Sequence, residues 1–293
     1  MGRGVVNNEP YALTQCKTID LDGFKHLDLS KYAMEPKVDG WRIQMEAGPD
    51  DLVRAWTRTN HDATGKMPRA EKAVLTGLGR WSQARLDGEV VYLDANGDPD
   101  FNFTSRCMGS GRDVCVDKQM AEERFLSYVV FDILRLGDRD LRAQSYEERH
   151  DILVNTLSVT DRFVKIIDIV PPSLDQHGLN IEKFEEGSVL KQLNAPYAGK
   201  RHKSWLKMKE TETIDVRITG YKMGQGKFKD LIGAITFRTA DGTIGNCSGM
   251  DDETRVEITN HREALIGTAI EIKHYGRLVD GLRHPQFVRF RNE

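Results

Sequence analysis

The pattern of the sequence changes after Lys209, and this change limits the possible folds more than any other feature. Beyond it, short apolar segments alternate with glycine-containing turns. The segments include Asp215–Tyr221, Ile232–Arg238, Thr243–Cys247 and Ala269–Tyr275. Evenly spaced short strands of this kind are typical of a small β-barrel or sandwich. We therefore predict a small all-β domain over residues 210–293.

The first 209 residues mix longer strand and helix patterns. Helical spacing covers Pro68–Leu78 and Tyr146–Leu157, with Ser145 as the expected N-cap of the second helix. The predicted strands are Tyr32–Lys37, Trp41–Glu46, Val53–Thr57, Ala84–Tyr92, Leu126–Ile133, Ser188–Gln192 and Ser204–Met208. These patterns predict an α+β domain over residues 1–209, joined to the second domain by a polar hinge at Glu210–Thr213.

Composition limits the class of protein but leaves its partner open. The 293 residues are 39% hydrophobic and 30% charged, with a formal net charge of −3. The sequence has no apolar run of the roughly 20 residues that a membrane helix needs, and its start does not resemble a signal peptide. The four cysteines form no CxxC pair, which argues against a zinc site. We expect a cytosolic protein. DNA binding stays possible, because basic groups can gather on one face.

The first motif with chemical content is EPKVDGWR at residues 35–42. If a strand continues to Asp39, its two-residue period puts Lys37 and Asp39 on one face, and Gly40 lets a ligand approach the backbone. A lysine attacks phosphorus only when it is unprotonated, and the neighbouring Arg42 together with a bound metal would lower its pKa. Alone, the motif fits a surface lysine before an ordinary Asp-Gly turn equally well.

Four further motifs follow along the chain. They are LDGEV at 86–90, YVVFDI at 128–133, EEGSVLK at 185–191 and KSWLKMK at 203–209. Acids such as Glu89 and Glu186 suit a ribose hydroxyl or a hard cation. An aromatic residue such as Phe131 can stack on a base, and Lys207 and Lys209 would share one strand face. Alone, these motifs also fit a hairpin turn, a core aromatic, a loop-to-strand junction and a solvated lysine face.

The order of the five motifs is more specific than any one of them. K-x-D-G-x-R, D-G-E, F-D, E-G and W-x-K-x-K resemble, in this order, the covalent nucleotidyltransferases, which comprise DNA ligases, RNA ligases and mRNA capping enzymes. GYKMGQGK at 220–227 and LRHPQFVRFR at 282–291 resemble the OB-fold domain of ATP-dependent DNA ligases, most closely the minimal bacteriophage enzymes. The glycine-rich stretch lacks the Ser or Thr of a phosphate-binding loop, so a hairpin turn is expected there.

The resemblance, which covers Met34 to Arg291, implies an ATP-dependent DNA ligase. Its fold would be an adenylation domain of antiparallel sheets with helices, followed by a β-barrel OB-fold domain. Lys37 would be the nucleophile that carries AMP, with ATP and Mg²⁺ as cofactors and nicked double-stranded DNA as the partner of a monomeric enzyme. The expected setting is DNA replication and repair in the cytosol of a bacterium or of a bacteriophage host.

The resemblance also implies a role for each motif residue. The implied contacts are Glu35 with the adenine amino group, Arg42 with ribose or the nick, Arg58 with phosphate, Glu89 with ribose, Phe131 with the adenine ring, and Lys207 and Lys209 with the phosphates. Glu186 and Glu89 are the implied Mg²⁺ ligands. The family pattern ends with a lysine that this sequence lacks, so Arg291 is the expected contact to the ATP pyrophosphate, with Arg289 or Arg283 as substitutes.

Two other functions stay open at this point. An RNA ligase or a capping enzyme shares the motifs, although a carboxylate at Glu35 disfavours guanine, whose O6 is an acceptor. The second alternative is a non-catalytic OB-fold protein with a decayed transferase domain. The intact lysines and acids of the five motifs argue against it.

Overall fold

The computed structural model describes residues 9–48, 50, 52–79, 83–159, 161–184, 186–209, 212–274, 277–278, 281–282 and 284–291. The chain divides into two compact units between Met208 and Lys209. Among the described residues, no helix is long and apolar enough to cross a membrane.

The first unit combines strands with short helices. Its strands are β1 (Gln15–Thr18), β2 (Tyr32–Pro36), β3 (Trp41–Ala47), β4 (Val53–Thr57), β5 (Ala84–Leu93), β6 (Pro99–Asp100), β7 (Ser127–Leu136), β8 (Arg139–Asp140), β9 (Val164–Ile166), β10 (Ser188–Gln192) and β11 (Arg201–Met208). Its helices are α1 (Leu21–Lys25), α2 (Pro68–Leu78), α3 (Phe101–Met108), α4 (Arg112–Ala121), α5 (Tyr146–Thr156) and α6 (Leu174–Phe184).

A four-stranded sheet, here called sheet A, has the strand order β1-β11-β10-β2. One of its faces is apolar and packs Phe24, Met34, Leu190, Leu206 and Met208 into a cluster. Side chains alternate between the two faces along each strand, so the opposite face carries Glu35, Lys191 and Lys207 and is here called the polar face. The strand register places Val189 opposite both Glu35 and Lys207, and Lys191 opposite Trp205.

A larger, mainly antiparallel sheet, here called sheet B, has the order β4-β3-β5-β7-β8, with β6 beside β5 and β9 beside β7. Ile43, Leu86 and Val130 lie in the main core of the unit, together with residues of α2, α3 and α5. Alternation puts Arg42 and Glu89, which are register partners, on the other face.

Several predicted elements are confirmed at their predicted bounds, namely β4, α2, β10 and β13 (Ile232–Arg238). Ser145 caps α5 through a capping box, in which its hydroxyl accepts from the Glu148 N–H and the Glu148 carboxylate accepts from the Ser145 N–H. The prediction missed α3, α4 and α6. Helix α4 buries only Cys115 and Gln119, so its apolar face is too narrow to show in the sequence.

The second unit is a small barrel built from short strands and one helix. Its remaining elements are β12 (Glu212–Met223), β14 (Ile244–Cys247), α7 (Asp252–Asn260), β15 (Ala269–His274), β16 (Arg277–Leu278), β17 (Gly281–Leu282) and β18 (Gln286–Phe290). The main sheet has the order β14-β13-β12-β15-β18. Its two edges are joined where the Phe287 N–H donates to the Ser248 carbonyl over 2.8 Å, so the sheet closes around an apolar core.

The expected hairpin turn in the glycine-rich stretch is also confirmed. Antiparallel strands β12 and β13 flank it, and Gly226–Phe228 forms a single 3-10 turn between them. Four residues named in the sequence predictions, Glu210, Thr211, Tyr275 and Arg283, lie outside the described residues.

Candidate active site

The polar faces of sheets A and B meet within the first unit. Trp205 of sheet A and Phe131 of sheet B pack edge to face, with ring centroids 5.9 Å apart. The guanidinium of Arg42 lies 5.3 Å from the Trp205 ring centroid. Residues from separate motifs of the sequence are therefore brought to one place between the two sheets, which is here called the cleft.

Lys37 lies directly after β2 and is held at both its backbone and its side chain. Its N–H donates to the Gly187 carbonyl over 2.9 Å. Its Nζ lies 2.7 Å from Oε2 of Glu186, and the two side chains are 22% and 3% exposed. Burial lowers the pKa of Lys37, but the carboxylates of Glu186, Glu89 and Asp39 outweigh burial and leave that pKa raised.

This electrostatic setting corrects the expectation that a neighbouring cation lowers the pKa of Lys37. Carboxylates dominate around its ammonium group, so without a nucleotide the protein holds Lys37 protonated. Strand β2 ends at Pro36, one residue before the predicted end, so the condition of a strand that continues to Asp39 is not met.

Gly40 is explained by a backbone contact. A Cβ at this position would lie 2.3 Å from the Val90 carbonyl oxygen of β5. The glycine therefore allows the turn after Lys37 to pass close to sheet B. This packing accounts for the glycine without the ligand approach that was expected.

Glu89 and Glu186 are the two acids implied as metal ligands. Burial raises the pKa of the half-buried Glu89 to about 7, against the opposing effect of Lys37 and Arg42. No group of three or more His, Cys, Asp or Glu side chains in the described part of the chain is placed to hold a metal ion. Mg²⁺ commonly uses one or two protein carboxylates and completes its shell with phosphate and water oxygens. The two acids fit a Mg²⁺ ion that arrives with a nucleotide.

Arg42 has partners other than those expected. Its guanidinium binds the Asp87 carboxylate with two hydrogen bonds, of 3.1 and 2.7 Å, and donates to the Thr14 carbonyl over 2.6 Å. The side chain is 13% exposed, and that of Asp87 is fully buried. This arrangement fixes the position of the guanidinium on sheet B, and its implied contact to ribose or to a nick stays a prediction.

Asp132, which follows Phe131 in the third sequence motif, has a similar structural role. Its carboxylate receives two hydrogen bonds from Arg149, of 2.7 and 2.9 Å, and both side chains are fully buried. The aspartates of the D-G-E and F-D motifs thus orient arginines beneath the cleft. The sequence motifs did not indicate that these two aspartates would bind arginines.

Glu35 lies in the cleft with two partners that sequence reasoning missed, Lys191 and Tyr146. Its Oε1 is 2.8 Å from Nζ of Lys191 and accepts a hydrogen bond from the Tyr146 hydroxyl. Lys191 also donates to the Phe131 carbonyl over 3.1 Å. The only sequence signal for Lys191 was its position two residues after Val189, which places it on the polar face of sheet A.

The two lysines of the last motif are separated by the end of a strand. Lys207 is half-buried on β11, where burial and the charge of Lys37 lower its pKa. Strand β11 ends at Met208, so strand alternation does not place Lys209 on the same face as Lys207. Lys209 is the first residue of the second unit.

The two remaining predicted arginines lie in a turn of the first unit and in the second unit. Arg58 is exposed in the turn that follows β4. Arg291 belongs to the second unit, where its Nε lies 2.8 Å from Oδ1 of Asp215 and its NH1 lies 3.5 Å from Oε2 of Glu271.

Comparisons with known proteins agree with this architecture. Residues 13–209 match the family model of the ATP dependent DNA ligase domain, and residues 223–291 match that of the DNA ligase OB-like domain. A probable DNA ligase of Streptomyces avermitilis is 33% identical over 259 residues, which are 83% of this chain and 48% of that protein. A DNA ligase of Haloarcula marismortui is 31% identical over 250 residues, which are 82% of this chain and 44% of that protein. The chain thus spans about half the length of these relatives.

Solved structures share the fold. One from a structure-function study of Lig E DNA ligases has a TM-score of 0.70 at 20% identity, covering 96% of this chain and 99% of that one. The ligase domain of LigD from M. tuberculosis has a TM-score of 0.56 at 23% identity, covering 97% and 95%. The predicted fold class, a nucleotidyltransferase domain followed by an OB-fold barrel, is confirmed. The two family models together account for most of the sequence, and the chain belongs to the family of ATP-dependent DNA ligases.

Proposed function

We propose that this chain is an ATP-dependent DNA ligase that seals nicks in duplex DNA through a lysyl-AMP intermediate on Lys37. The observation that carries the proposal is the placement of Lys37, whose Nζ is 2.7 Å from Glu186 in the cleft that also holds Glu89, Lys207 and Phe131. The active form is a cytosolic monomer, with an adenylation domain over 1–209 and an OB-fold domain over 210–293.

In the first step, unprotonated Lys37 attacks the α-phosphorus of ATP. A P–N bond forms, the bond to pyrophosphate breaks, and the proton of Lys37 passes to solvent. Glu186 and Glu89 would hold Mg²⁺, which would neutralise charge at the phosphates. Carboxylates bound to a cation would no longer raise the pKa of Lys37, which would favour its unprotonated form.

The remaining site residues bind and orient the nucleotide. Phe131 stacks on adenine, and Glu35 accepts a hydrogen bond from the adenine amino group. Lys207 neutralises phosphate charge close to Lys37, which its half-buried position within reach of the charge of Lys37 supports. Arg291 reaches the pyrophosphate, and Lys209 and Arg58 bind phosphates of the nucleotide or of DNA.

The second and third steps transfer and then release AMP. The 5′-phosphate of the nick attacks the lysyl-AMP phosphorus, and Lys37 leaves. The 3′-hydroxyl then attacks the activated 5′-phosphate, so that a phosphodiester bond forms and AMP departs. Beyond the lysine, catalysis rests on positioning and electrostatics.

Transfer of label tests the proposal. The protein is incubated with Mg²⁺ and either α-labelled ATP or α-labelled GTP, and then with nicked duplexes made of DNA or of RNA. We expect a covalent adduct from ATP and sealing of the DNA nick. Sealing of RNA alone would identify an RNA ligase, an adduct from GTP alone a capping enzyme, and no adduct a non-catalytic protein.

A further inference from the structure

Lys191 is a buried cation enclosed by acidic and aromatic groups. It is 1% exposed, and its Nζ lies 4.4 Å from the ring centroid of Phe131 and 4.1 Å from that of Trp205. A buried ammonium group is costly unless it is paired. Here the pairing is supplied by Oε1 of Glu35 at 2.8 Å and by the Phe131 carbonyl at 3.1 Å.

Two groups bind the Glu35 carboxylate. Its Oε1 lies 2.8 Å from Nζ of Lys191 and accepts a hydrogen bond from the Tyr146 hydroxyl. A cation and a hydroxyl donor both favour the ionised form of a carboxylate and fix its position. Tyr146 is itself fully buried at the start of α5.

Glu35 and Lys37 lie two residues apart, on either side of the end of β2. Glu35 pairs with Val189, and the Lys37 N–H donates to the Gly187 carbonyl, so both residues lie beside the same segment of the chain. Two residues of extended chain span about 7 Å. A nucleotide whose α-phosphate lies at Lys37 can thus direct its base toward Glu35 and Phe131.

The charge of Glu35 determines which base its carboxylate can bind. Burial raises the pKa of Glu35, Lys191 and Tyr146 oppose this rise, and Asp132 adds to it. An ionised carboxylate only accepts hydrogen bonds, whereas a protonated one also donates. The adenine amino group is a donor, and the guanine O6 is an acceptor. An ionised Glu35 therefore matches adenine, and a neutral one tolerates guanine.

We propose that Lys191 and Tyr146 are positioning residues that hold Glu35 ionised and fixed in place, and thereby set the preference for ATP over GTP. The inference rests on the proposed function, because it assumes that Glu35 reads the adenine amino group. Lys191 is assigned no contact with the reacting atoms. It acts through the carboxylate it binds and through the carbonyl of the aromatic residue that stacks on the base.

The test measures kcat/KM for enzyme adenylation with ATP and for guanylation with GTP, and compares their ratio among variants. We expect Lys191→Met to lower the ATP/GTP ratio about tenfold, the effect of losing one charged hydrogen bond. Lys191→Arg, which keeps the charge, restores most of the preference. Tyr146→Phe lowers the ratio less. Lys165→Met, the same change at an exposed lysine of β9, leaves the ratio as in the wild type.

A double variant shows whether Lys191 acts through Glu35. Glu35→Gln alone should lower the ratio, and adding Lys191→Met to it should then change the ratio no further. A Lys191→Met protein that loses activity with both nucleotides equally overturns the inference, because that result describes only structural support. If Glu35→Gln leaves the ratio unchanged, Glu35 does not read the base, and the inference fails although the ligase proposal stands.

Two further outcomes are distinguishable. A wild-type protein that forms no adduct with either nucleotide rejects the proposed function and the inference with it. If Lys191→Met alone does not fold, as circular dichroism would show, Tyr146→Phe decides the question. If Tyr146→Phe has the wild-type melting temperature and an unchanged ATP/GTP ratio, the hydrogen bond from Tyr146 to Glu35 does not set the preference, and the inference is overturned.

Discussion

Nζ of Lys37 lies 2.7 Å from Oε2 of Glu186, and the Lys37 N–H donates to the carbonyl of Gly187, the next residue, over 2.9 Å. The first and fourth sequence motifs are thus joined by both a side chain and the backbone. This pairing keeps the lysine protonated until another cation engages the glutamate. If Lys37 is the nucleophile, as we propose, this pairing explains how it stays unreactive without its substrate.

Replacing Lys37 with alanine should abolish the covalent AMP adduct and the sealing of an ordinary nick. Sealing of a nick that already carries AMP on its 5′-phosphate should persist, because the third step does not use the lysine as a nucleophile. Both reactions are followed on denaturing gels. Lys72→Ala, at an exposed lysine of α2, is the matched control and should behave as the wild type. A labelled Lys37→Ala adduct would show that another residue is the nucleophile.

Glu186→Gln should lower the pKa of Lys37 in the protein without nucleotide or metal. The raised pKa of Lys37 means that it stays protonated to higher pH, and the amide removes the first of the carboxylates that cause this. The unprotonated fraction near neutral pH then rises. Labelling of Lys37 by an amine-reactive reagent, followed by mass spectrometry across pH, should begin at lower pH and be severalfold faster.

The control for this experiment is Glu182→Gln, the same change at an exposed position of α6. Its labelling profile should match that of the wild type. An unchanged profile in Glu186→Gln itself would mean that Glu89 and Asp39 suffice to hold the proton on Lys37.

Arg291→Ala should slow adenylation by about tenfold, as expected for the loss of one charged contact, and leave sealing of a pre-adenylated nick nearly unchanged. A contact made only in the first transition state is lost only there. Deleting residues 289–293 cannot test this, because β18 pairs with β15 and the deletion would remove part of a barrel strand. The point variant removes the charge and keeps the strand.

Arg289→Ala is the comparison for this prediction. Arg289 is 64% exposed on the same strand and binds Glu271 at 2.6 Å. If it alone slows adenylation, then Arg289 contacts the pyrophosphate. If Arg291→Ala slows adenylation and the sealing of a pre-adenylated nick equally, with an unchanged melting temperature, Arg291 does not act in the first step alone.

Gly40→Ala should destabilise the protein by about 1–3 kcal/mol, the usual cost of overpacking. Its Cβ would lie 2.3 Å from the Val90 carbonyl oxygen, so the turn after Lys37 would have to move, and adenylation should slow as well. Thermal unfolding and adduct formation measure the two effects. Gly178→Ala in α6 is the control, because its Cβ would meet no atom within 4 Å, and helix propensity predicts a gain of up to about 1 kcal/mol. A Gly40→Ala protein as stable and active as the wild type would contradict the close-approach explanation.

The sequence by itself determined many of the strands, the helices α2 and α5, and the motif set. The hydrophobic period of a segment shows which of its faces is buried. It therefore predicted strands such as Val53–Thr57 and helices such as Pro68–Leu78. The five motifs, in order, indicated the family, and the short strands after residue 209 indicated the barrel. These features depend on residues that are close together in the sequence, so they can be identified from the sequence alone.

Only the tertiary structure decided which motif residues meet and what their charges do. Gly187 has a φ of +92°, so strand alternation does not extend back to Glu186 and could not predict its contact with Lys37. Tyr146 binds Glu35 across 111 positions of sequence, and Arg42 binds Asp87 across 45. Such contacts depend on which strands pair and on how α5 packs, and packing fixes the burial and the neighbouring charges that set each pKa.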